Sequence, residues 1–330
     1  MSRKLKRSLL LLLTLCFAFS LIGCSSNKAE AGKKVVIYTN GDDAAVEAMQ
    51  NALNKAGYDG KYVLQTFGTS ELGGKLMAEG DKIEANLVTM SSYFIDSSQS
   101  KNAMFKDLTF KTDPLEKHPS YSTPILANTG AIFVNTEVMK EKGLPMPTSI
   151  KDLTKPAFKG QVSIPNIMDS STGWLLVQAI ISQYGETEGK KVLHDLIANC
   201  GPHLESSGSG PIKKVEAGEV AAGFGLRYQA VLDKKSGLPI NYVDPIEGNF
   251  SLTESIAVVK KDDPTTKLAM KMAEVIIKDG RKDLLANYPV ALYKGETIDS
   301  IHQPAHTKKF NQPLTVDLLE KHQQFFNAAK

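Results

Sequence analysis

Apolar and polar positions along residues 34–110 follow the periods of strands and helices. Short apolar runs typical of strands read KKVVIYTN, GKYVLQTFG and EANLVTM. Between them, DDAAVEAMQNALNKAG and TSELGGKLMAEGDK carry apolar residues at helical spacing, and the first begins at Asp42 or Asp43 and ends at Gly57. Strands separated by helices pair in parallel and are covered by helices on both faces. The pattern therefore predicts an α/β protein.

The rest of the chain continues this alternation. After the loop KTDPLEKHPSYSTP, the run GAIFVN predicts another strand, and a Pro- and Lys-rich stretch opens what we interpret as a second lobe. That lobe contains the helices TGWLLVQAIISQYG and ETEGKKVLHDLIAN, the loop LESSGSGP, a short helix from Pro211 and the strand EVAAGFGL. The strand ESIAVVKK and helices near residues 264–278, 280–287 and 313–328 close the chain. LESSGSGP has the composition of a flexible linker, yet it lies between two well-patterned helices.

The first 24 residues have a different pattern. Four basic residues precede an apolar run over residues 9–22, which is short for a membrane span and has the layout of a secretory signal. The run closes with LIGC, which resembles the lipobox of bacterial lipoproteins, where the cysteine becomes the lipidated first residue. An ordinary signal peptide with a chance cysteine is the alternative. We predict a signal peptide over residues 1–23, lipidation of Cys24 and a polar tether over residues 24–33. The protein would then be extracytoplasmic and lipid-anchored, in the periplasm or on the outer face of the cytoplasmic membrane.

Charge and cysteine use narrow the classes of function. The sequence has 39 Lys and Arg against 36 Asp and Glu, and the signal holds four of the basic residues and no acid, so the mature chain is close to neutral and shows no nucleic-acid surface. Cys200 is the sole cysteine beyond the lipid site, which excludes an intrachain disulfide in the folded body. Signatures of zinc hydrolases, serine hydrolases and nucleotide-binding loops are missing. We predict no cofactor, no metal motif and a monomer.

Three segments carry a resemblance to a known family. They read VVIYTNGDD, TGAIFVNTEVMKEKGLPMPTSIKDLTKPAFKGQVSIPN, and VEAGEVAAGFGL followed by ESIAVVKKDDP. In these segments the chain resembles the extracellular solute-binding proteins of bacterial ABC importers, in the branch that binds ferric ion, polyamines or 2-aminoethylphosphonate. The resemblance implies a two-lobe periplasmic-binding-protein-like (type II) α/β fold with a ligand cleft between the lobes. It also implies a small-molecule ligand, an ABC permease as partner and no enzymatic activity.

The same resemblance implies the division into lobes. The first lobe would be discontinuous, over residues 34–135 and 245–330, and the second would comprise residues 136–244. The two crossings would lie near residues 133–136 and 243–248, and hinge bending there would close the cleft on its ligand.

Small polar residues follow several of the predicted strands, where ligands of open α/β sheets bind. They are Thr39, Asn40, Ser91, Ser92, Tyr93, Asn128, Thr129, Gly130, Ser170, Ser171, Thr172, Ser207, Gly208 and Ser209. Two of these groups, residues 170–172 and 207–209, each open a helix, where free backbone N–H groups and the helix dipole favour an anion. Simple capping of these helices by serine is the alternative. We favour an anion site, with LESSGSGP as part of its wall.

Two charged positions and one tyrosine complete the candidate site. Ferric-ion binders of the resembled branch carry an adjacent pair of tyrosines near the segment LRYQ, whereas this chain has Tyr228 preceded by Arg227. The guanidinium fork suits a phosphate-like group, although a surface ion pair is the alternative. An ammonium group on the ligand would need an acid, for which Glu205 is the first candidate and Glu254 the second.

These features predict capture of a small anionic solute for an ABC importer, with 2-aminoethylphosphonate or a related phosphonate as the best match. Ferric ion is the next candidate and a polyamine the third. A secreted hydrolase using one of the pocket serines is an alternative of another class, and the sequence offers no identifiable base for it.

Overall fold

Helices and strands alternate through residues 33–330, the part of the chain that this computed structural model describes. The predicted signal peptide, Cys24 and nearly all of the tether lie outside the described residues. The strands are β1 (Val35–Thr39), β2 (Tyr62–Thr66), β3 (Leu87–Ser91), β4 (Phe105–Lys106), β5 (Ser122–Asn135), β6 (Val162–Pro165), β7 (Leu204–Glu205), β8 (Ala222–Leu226), β9 (Ile240–Val243) and β10 (Ser251–Val259). The helices are α1 (Asp43–Lys55), α2 (Thr69–Glu79), α3 (Ser92–Asn102), α4 (Thr136–Glu141), α5 (Ser171–Cys200), α6 (Gly210–Glu216), α7 (Arg227–Lys235), α8 (Thr265–Lys278), α9 (Arg281–Asn287) and α10 (Val316–Asn327).

The first lobe is built on the strand order β2-β1-β3-β10-β5. β1 pairs in parallel with β2 and β3, as the alternation of strands and helices predicts. β10 runs antiparallel to both β3 and β5, which the sequence pattern does not show because periodicity carries no information on strand direction. Helices cover both faces, so β3 is buried along its whole length.

β5 is the element that joins the lobes. Its first part, up to Thr129, pairs with β10, and its second part, from Gly130, pairs with β8 and β9. The chain therefore leaves the first lobe at Thr129 and Gly130, earlier than the predicted crossing at residues 133–136, which instead lie within or directly after the second lobe's sheet. A single long strand serves both sheets here, and a strand that continues without a break gives no boundary signal in the sequence. The return passage over residues 244–250 overlaps the predicted second crossing.

The C-terminal helix packs on the second lobe, whereas the sequence analysis assigned it to the first. After α9, residues 288–315 lead to α10, whose buried face includes Leu318, His322 and Phe326. The indole N–H of Trp174 on α5 donates to Nδ1 of His322 at 2.6 Å. Because a helix with an apolar stripe packs wherever a complementary face is available, the stripe alone did not specify the lobe.

The largest apolar core extends through both lobes. It includes Val88 and Tyr93 of the first lobe and Val162 and Trp174 of the second, and the rings of Tyr93 and Trp174 meet edge to face with centroids 4.9 Å apart. Residues 34–330 form one compact unit. Within the described part of the chain, none of the helices combines the length and apolar character that a membrane span requires. The two-lobe α/β architecture that the sequence predicted is present.

Candidate functional site

A cavity of about 220 Å³ lies where the two lobes meet. The carboxyl ends of β1 and β3 and the N-termini of α1, α2 and α5 surround it, which is the position that open α/β sheets offer to ligands. Its wall consists of Thr39, Asn40, Gly41, Asp42, Ala45, Met49, Phe67, Thr69, Thr89, Ile125, Leu126, Asn128, Ser170, Ser171, Thr172, Ser207, Gly208, Ser209, Leu226, Glu254 and Tyr288.

Many of the residues selected from the sequence lie in this wall. From the first lobe these are Thr39, Asn40, Asn128 and Glu254, and from the second they are Ser170, Ser171, Thr172, Ser207, Gly208 and Ser209. They come from five separate segments of the chain, which the fold brings to one place. No lysine, arginine or histidine of the described residues lines the cavity. An anionic group there would therefore be held by neutral donors.

The second lobe supplies a wall of hydroxyl groups. Ser170 caps α5, and its Oγ accepts a hydrogen bond from the backbone N–H of Thr172 at 3.3 Å. The side-chain amide of Gln229 donates to Oγ of Ser209 at 2.9 Å, so this second serine does not cap α6 with its side chain. Capping thus accounts for Ser170 but not for the Ser207–Ser209 loop, and the hydroxyl protons of this wall are available to a ligand.

Gly208 sets how closely these two serine segments approach each other. A Cβ at this position would lie 2.2 Å from Oγ1 of Thr172 and 3.4 Å from Oγ of Ser170. Real Cβ atoms do not approach other atoms as closely as the first of these distances. A glycine is therefore required for the loop and the start of α5 to form one continuous surface.

The first lobe supplies acceptors instead. Glu254 on β10 is 5% exposed, and its Oε1 accepts from Oγ of Ser91 at 3.0 Å and from Nδ2 of Asn40 at 3.4 Å. Among the described residues, Oε2 has no hydrogen-bond partner. The side-chain oxygens of Asn40 and Asn128 are buried without a partner as well. This wall therefore has unsatisfied acceptors, which a ligand with several N–H donors would satisfy.

Burial raises the pKa of Glu254 to about 7, and the charge of Asp42 acts in the same direction. The hydrogen bonds from Ser91 and Asn40 oppose this rise but do not cancel it. Within residues 33–330, no cationic side chain lines the cavity to compensate the carboxylate. A cationic group of a ligand would do so.

Asp42 is the second carboxylate of the wall, and the sequence analysis did not select it. It caps α1 by accepting from the backbone N–H of Ala45 at 3.3 Å. Its Oδ2 accepts from the phenol of Tyr228 at 2.5 Å, and its Oδ1 accepts from the phenol of Tyr288. The sequence NGDD signalled the cap of a helix at this position, whereas nothing in the sequence around Tyr288 signalled a role in the site.

Arg227 lies outside the cavity, and its guanidinium is fully engaged. Nε and Nη2 donate to the two carboxylate oxygens of Asp244 at 2.7 and 3.1 Å, and Nη1 donates to the carbonyl of Ile301 at 3.0 Å. The guanidinium also lies over the ring of Tyr242, 4.6 Å from its centroid. Burial raises the pKa of Asp244, but the hydrogen bond from Arg227 and further donors outweigh it and hold that pKa below its usual value. The structure therefore does not bring this fork to the cavity, because the carboxylate of Asp244 occupies it, as in the ion-pair alternative.

The remaining predicted residues lie behind or beside the wall. Ser91 supports Glu254, and Oγ of Ser92 donates to the carbonyl of Thr253 at 2.9 Å. Tyr93 packs on Trp174, and Glu205 ends β7 beside Gly210. Thr129, Gly130 and Tyr228 are likewise absent from the wall; the first bonds to the hydroxyl of Ser251 at 2.7 Å, the second lies in β5, and the third reaches Asp42. Of the two acids considered for an ammonium group, Glu254 lines the cavity and Glu205 does not.

Comparison with known proteins identifies the family. Residues 83–305, more than half of the chain, match the family described as bacterial extracellular solute-binding proteins. An uncharacterized protein of Haemophilus influenzae is 23% identical over 245 residues, covering 71% of this chain and 70% of that protein. The spermidine/putrescine-binding periplasmic protein of Escherichia coli (strain K12) is 24% identical over 189 residues, covering 52% of this chain and 53% of that protein. The chain thus spans about half the length of this polyamine-binding relative.

Solved structures of periplasmic binding proteins share the fold. AfuA from Actinobacillus pleuropneumoniae, with fructose-6-phosphate bound, superposes with a TM-score of 0.69 at 19% identity, covering 90% of this chain and 97% of that one. Iron-bound HitA from Pseudomonas aeruginosa gives 0.68 at 19% identity, covering 90% and 98%. At these sequence identities, the structural similarity is evidence for the fold alone. With its match over residues 83–305 and its two lobes around one cavity, the chain belongs to the bacterial extracellular solute-binding proteins of ABC importers.

Proposed function

We propose that the cavity binds a small dipolar solute with an anionic, phosphonate-like end and a primary ammonium end, and that 2-aminoethylphosphonate is the best match. Members of this family capture small solutes and work with an ABC permease. The single observation that carries the proposal is the asymmetry of the wall. Hydroxyl donors of the second lobe face a wall of the first lobe that has unsatisfied acceptors and the buried carboxylate of Glu254.

The anionic end would lie against the second lobe. Ser171, Thr172 and Ser207 offer hydroxyl protons at the start of α5 and in the adjoining loop, and the first turn of α5 adds the favourable end of a helix dipole. Phosphonate oxygens accept several hydrogen bonds at once. The close approach that Gly208 permits allows both segments to reach the same group.

The cationic end would lie against the first lobe. A primary ammonium has three N–H donors, and the wall provides Oε2 of Glu254 and the side-chain oxygens of Asn40 and Asn128 as acceptors. The carboxylates of Glu254 and Asp42 would repel a ligand that is anionic throughout. This charge arrangement favours a zwitterion over phosphate, and it modifies the sequence-based prediction of an anionic solute.

The size of the cavity agrees with a ligand of this class. Its volume of about 220 Å³ corresponds to roughly seven water molecules at the volume each takes in the liquid. Drug-sized ligands use larger pockets, of about 300–1,000 Å³. A solute with only a few non-hydrogen atoms is therefore expected.

Ferric ion is the second candidate, and one specific observation favours it. The phenols of Tyr228 and Tyr288 both reach the carboxylate of Asp42, so three hard oxygen donors converge although the tyrosines are distant in sequence. Burial and the negative charge of Asp42 raise the pKa of both phenols. Iron binding requires both phenols to lose their protons, and the raised pKa values oppose that loss. Iron is therefore the second candidate.

Titration calorimetry with matched ligands tests the proposal. The wild type should bind 2-aminoethylphosphonate more tightly than ethylphosphonate, which lacks the ammonium, and than putrescine, which lacks the anion. Glu254→Gln should weaken 2-aminoethylphosphonate roughly tenfold or more, because a hydrogen bond to a charged group is worth about 1.5–3 kcal/mol, and should leave ethylphosphonate unaffected or bound more tightly. Ser171→Ala, which removes a hydroxyl of the wall, should also weaken binding of 2-aminoethylphosphonate, and Ser92→Ala, which removes a hydroxyl outside the wall, is its matched control.

The outcomes separate the candidates. Tighter binding of putrescine than of 2-aminoethylphosphonate would replace the proposal by a polyamine, and a coloured stoichiometric complex with ferric citrate would replace it by iron. Release of product from a phosphonate or a phosphate ester would indicate the hydrolase. Equal affinity for ethylphosphonate and 2-aminoethylphosphonate would contradict the role of Glu254.

A further inference from the structure

Away from the chain crossings, the part of the chain that the structure describes forms two hydrogen bonds between the lobes at the rim of the cavity. On one side, the phenol of Tyr228 on α7 of the second lobe donates to Oδ2 of Asp42 in the first lobe at 2.5 Å. On the other side, Oγ of Ser70 on α2 donates to the carbonyl of Met168, just before α5, at 2.6 Å. Residues 42 and 228 are 186 positions apart in the chain, so it is the packing of the two lobes against each other that brings them together.

We propose that Tyr228 is a positioning residue that latches the two lobes together beside the solute without contacting it. The inference rests on the proposed function in one respect: the cavity between the lobes is the solute site. Tyr228 is absent from the cavity wall, while its partner Asp42 is part of that wall. The latch therefore acts on how long the cavity stays closed and not on the contacts that the solute makes.

The acceptor of the latch is fixed within the first lobe. Asp42 accepts from the backbone N–H of Ala45 and from the phenol of Tyr288, both in the first lobe. Its carboxylate is therefore oriented independently of the second lobe. When the lobes separate, Asp42 keeps these two partners and loses Tyr228.

The donor of the latch is held in its protonated form. Tyr228 is buried, and burial together with the negative charge of Asp42 raises the pKa of its phenol. The ring lies against that of Tyr288, with centroids 4.6 Å apart, so packing orients the hydroxyl towards the carboxylate. A phenol that donates to a carboxylate makes a charged hydrogen bond, which is stronger than a neutral one.

Measurements with and without solute test the latch. Tyr228→Phe removes the hydroxyl and keeps the ring. Tyr121→Phe is the matched control, because the phenol of Tyr121 donates to Asp96 at 2.9 Å entirely within the first lobe. Ser70→Ala removes the second rim contact and provides an independent variant should Tyr228→Phe fold poorly. Trp174, the only tryptophan of the sequence, touches Tyr93 across the lobes, so its fluorescence can follow closure in stopped-flow mixing with 2-aminoethylphosphonate.

We expect Tyr228→Phe to raise the dissociation rate of 2-aminoethylphosphonate roughly tenfold, the effect of one hydrogen bond to a charged group, and to leave the association rate unchanged. Without solute, the variant should have a larger radius of gyration than the wild type in small-angle scattering, and Tyr121→Phe should match the wild type in both measurements. A dissociation rate and a radius of gyration equal to those of the wild type would overturn the latch.

The scattering comparison requires no ligand and so decides the latch separately from the proposed function. If the wild type fails to bind 2-aminoethylphosphonate while Tyr228→Phe still has the larger radius of gyration, the latch is supported and the proposed ligand is wrong. A purely structural role of Tyr228 would lower the melting temperature without changing the radius of gyration or the dissociation rate, and that result would also overturn the latch.

Discussion

Glu254→Gln exchanges a buried carboxyl group for a neutral amide of nearly the same shape. The amide oxygen of the glutamine can still accept from Ser91 and Asn40, so the replacement removes the charge and preserves the local geometry. The charge itself is costly in the protein without solute, because the carboxylate is buried and no cationic side chain of the described residues lines the cavity.

The pKa of Glu254 gives the magnitude. It is about 7 in the folded protein, against a reference value of 4.5. Since one pKa unit corresponds to about 1.36 kcal/mol, the ionised group destabilises the folded state by about 3 kcal/mol. Because the pKa is raised on folding, the folded state holds this proton more tightly than the unfolded chain. The stabilising contribution of the protonated form is complete below pH 4.5 and is lost as the pH rises through 7.

Urea unfolding at pH 5 and pH 8, followed by the fluorescence of the buried Trp174, tests this reasoning. The free energy of unfolding of Glu254→Gln, relative to that of the wild type, should be about 2–3 kcal/mol higher at pH 8 than at pH 5. Glu141→Gln, at an exposed position, is the control and should follow the wild type. Stability differences that are the same at pH 5 and pH 8 would show that Glu254 does not titrate in this range, and the electrostatic description of the first-lobe wall would then be incorrect.

Three further predictions concern other parts of the chain. Arg227→Ala should lower the free energy of unfolding in urea by about 3 kcal/mol, because it leaves the largely buried carboxylate of Asp244 without its cationic partner, and an unchanged midpoint would contradict the structural role of this arginine. In calorimetry, Gly208→Ala should weaken 2-aminoethylphosphonate binding roughly tenfold or more, because the new Cβ displaces the hydroxyl of Thr172, which we expect to bind the phosphonate. Gly74→Ala, where a Cβ meets nothing within 4 Å, should bind like the wild type. Cys24→Ser should move the protein from the membrane to the soluble fraction, and a wild-type protein without lipid in mass spectrometry would rule out the anchor.

Local sequence patterns were sufficient for the elements and for most of the loops around the cavity. The period of apolar residues located β1, β2 and β3 and the helices between them, and Gly185, at φ 69°, separates the two helices predicted within α5. Small residues after strands and before helices predicted nine residues of the cavity wall, because these positions are set by the direction of each strand and by the capping of each helix.

Tertiary packing decided the roles of the charged and aromatic side chains. Arg227 directly precedes Tyr228, and both were expected to contact ligand, yet one pairs with Asp244 and the other reaches Asp42. Long side chains have several possible partners within reach, and the choice among them depends on which segments pack nearby. The residue type at one position therefore does not show which partner its side chain will have.

The sequence by itself determined that this is an α/β chain with two lobes and that small polar loops cluster at strand ends. Only the tertiary structure decided that the two sides of the cavity differ, with hydroxyl donors on one and the carboxylate of Glu254 on the other. The physical reason is that periodicity and capping are local properties of a segment, whereas burial, partner choice and pKa depend on contacts between residues that are distant in sequence. Asp42 and Tyr228, 186 positions apart and joined by one hydrogen bond, illustrate that dependence.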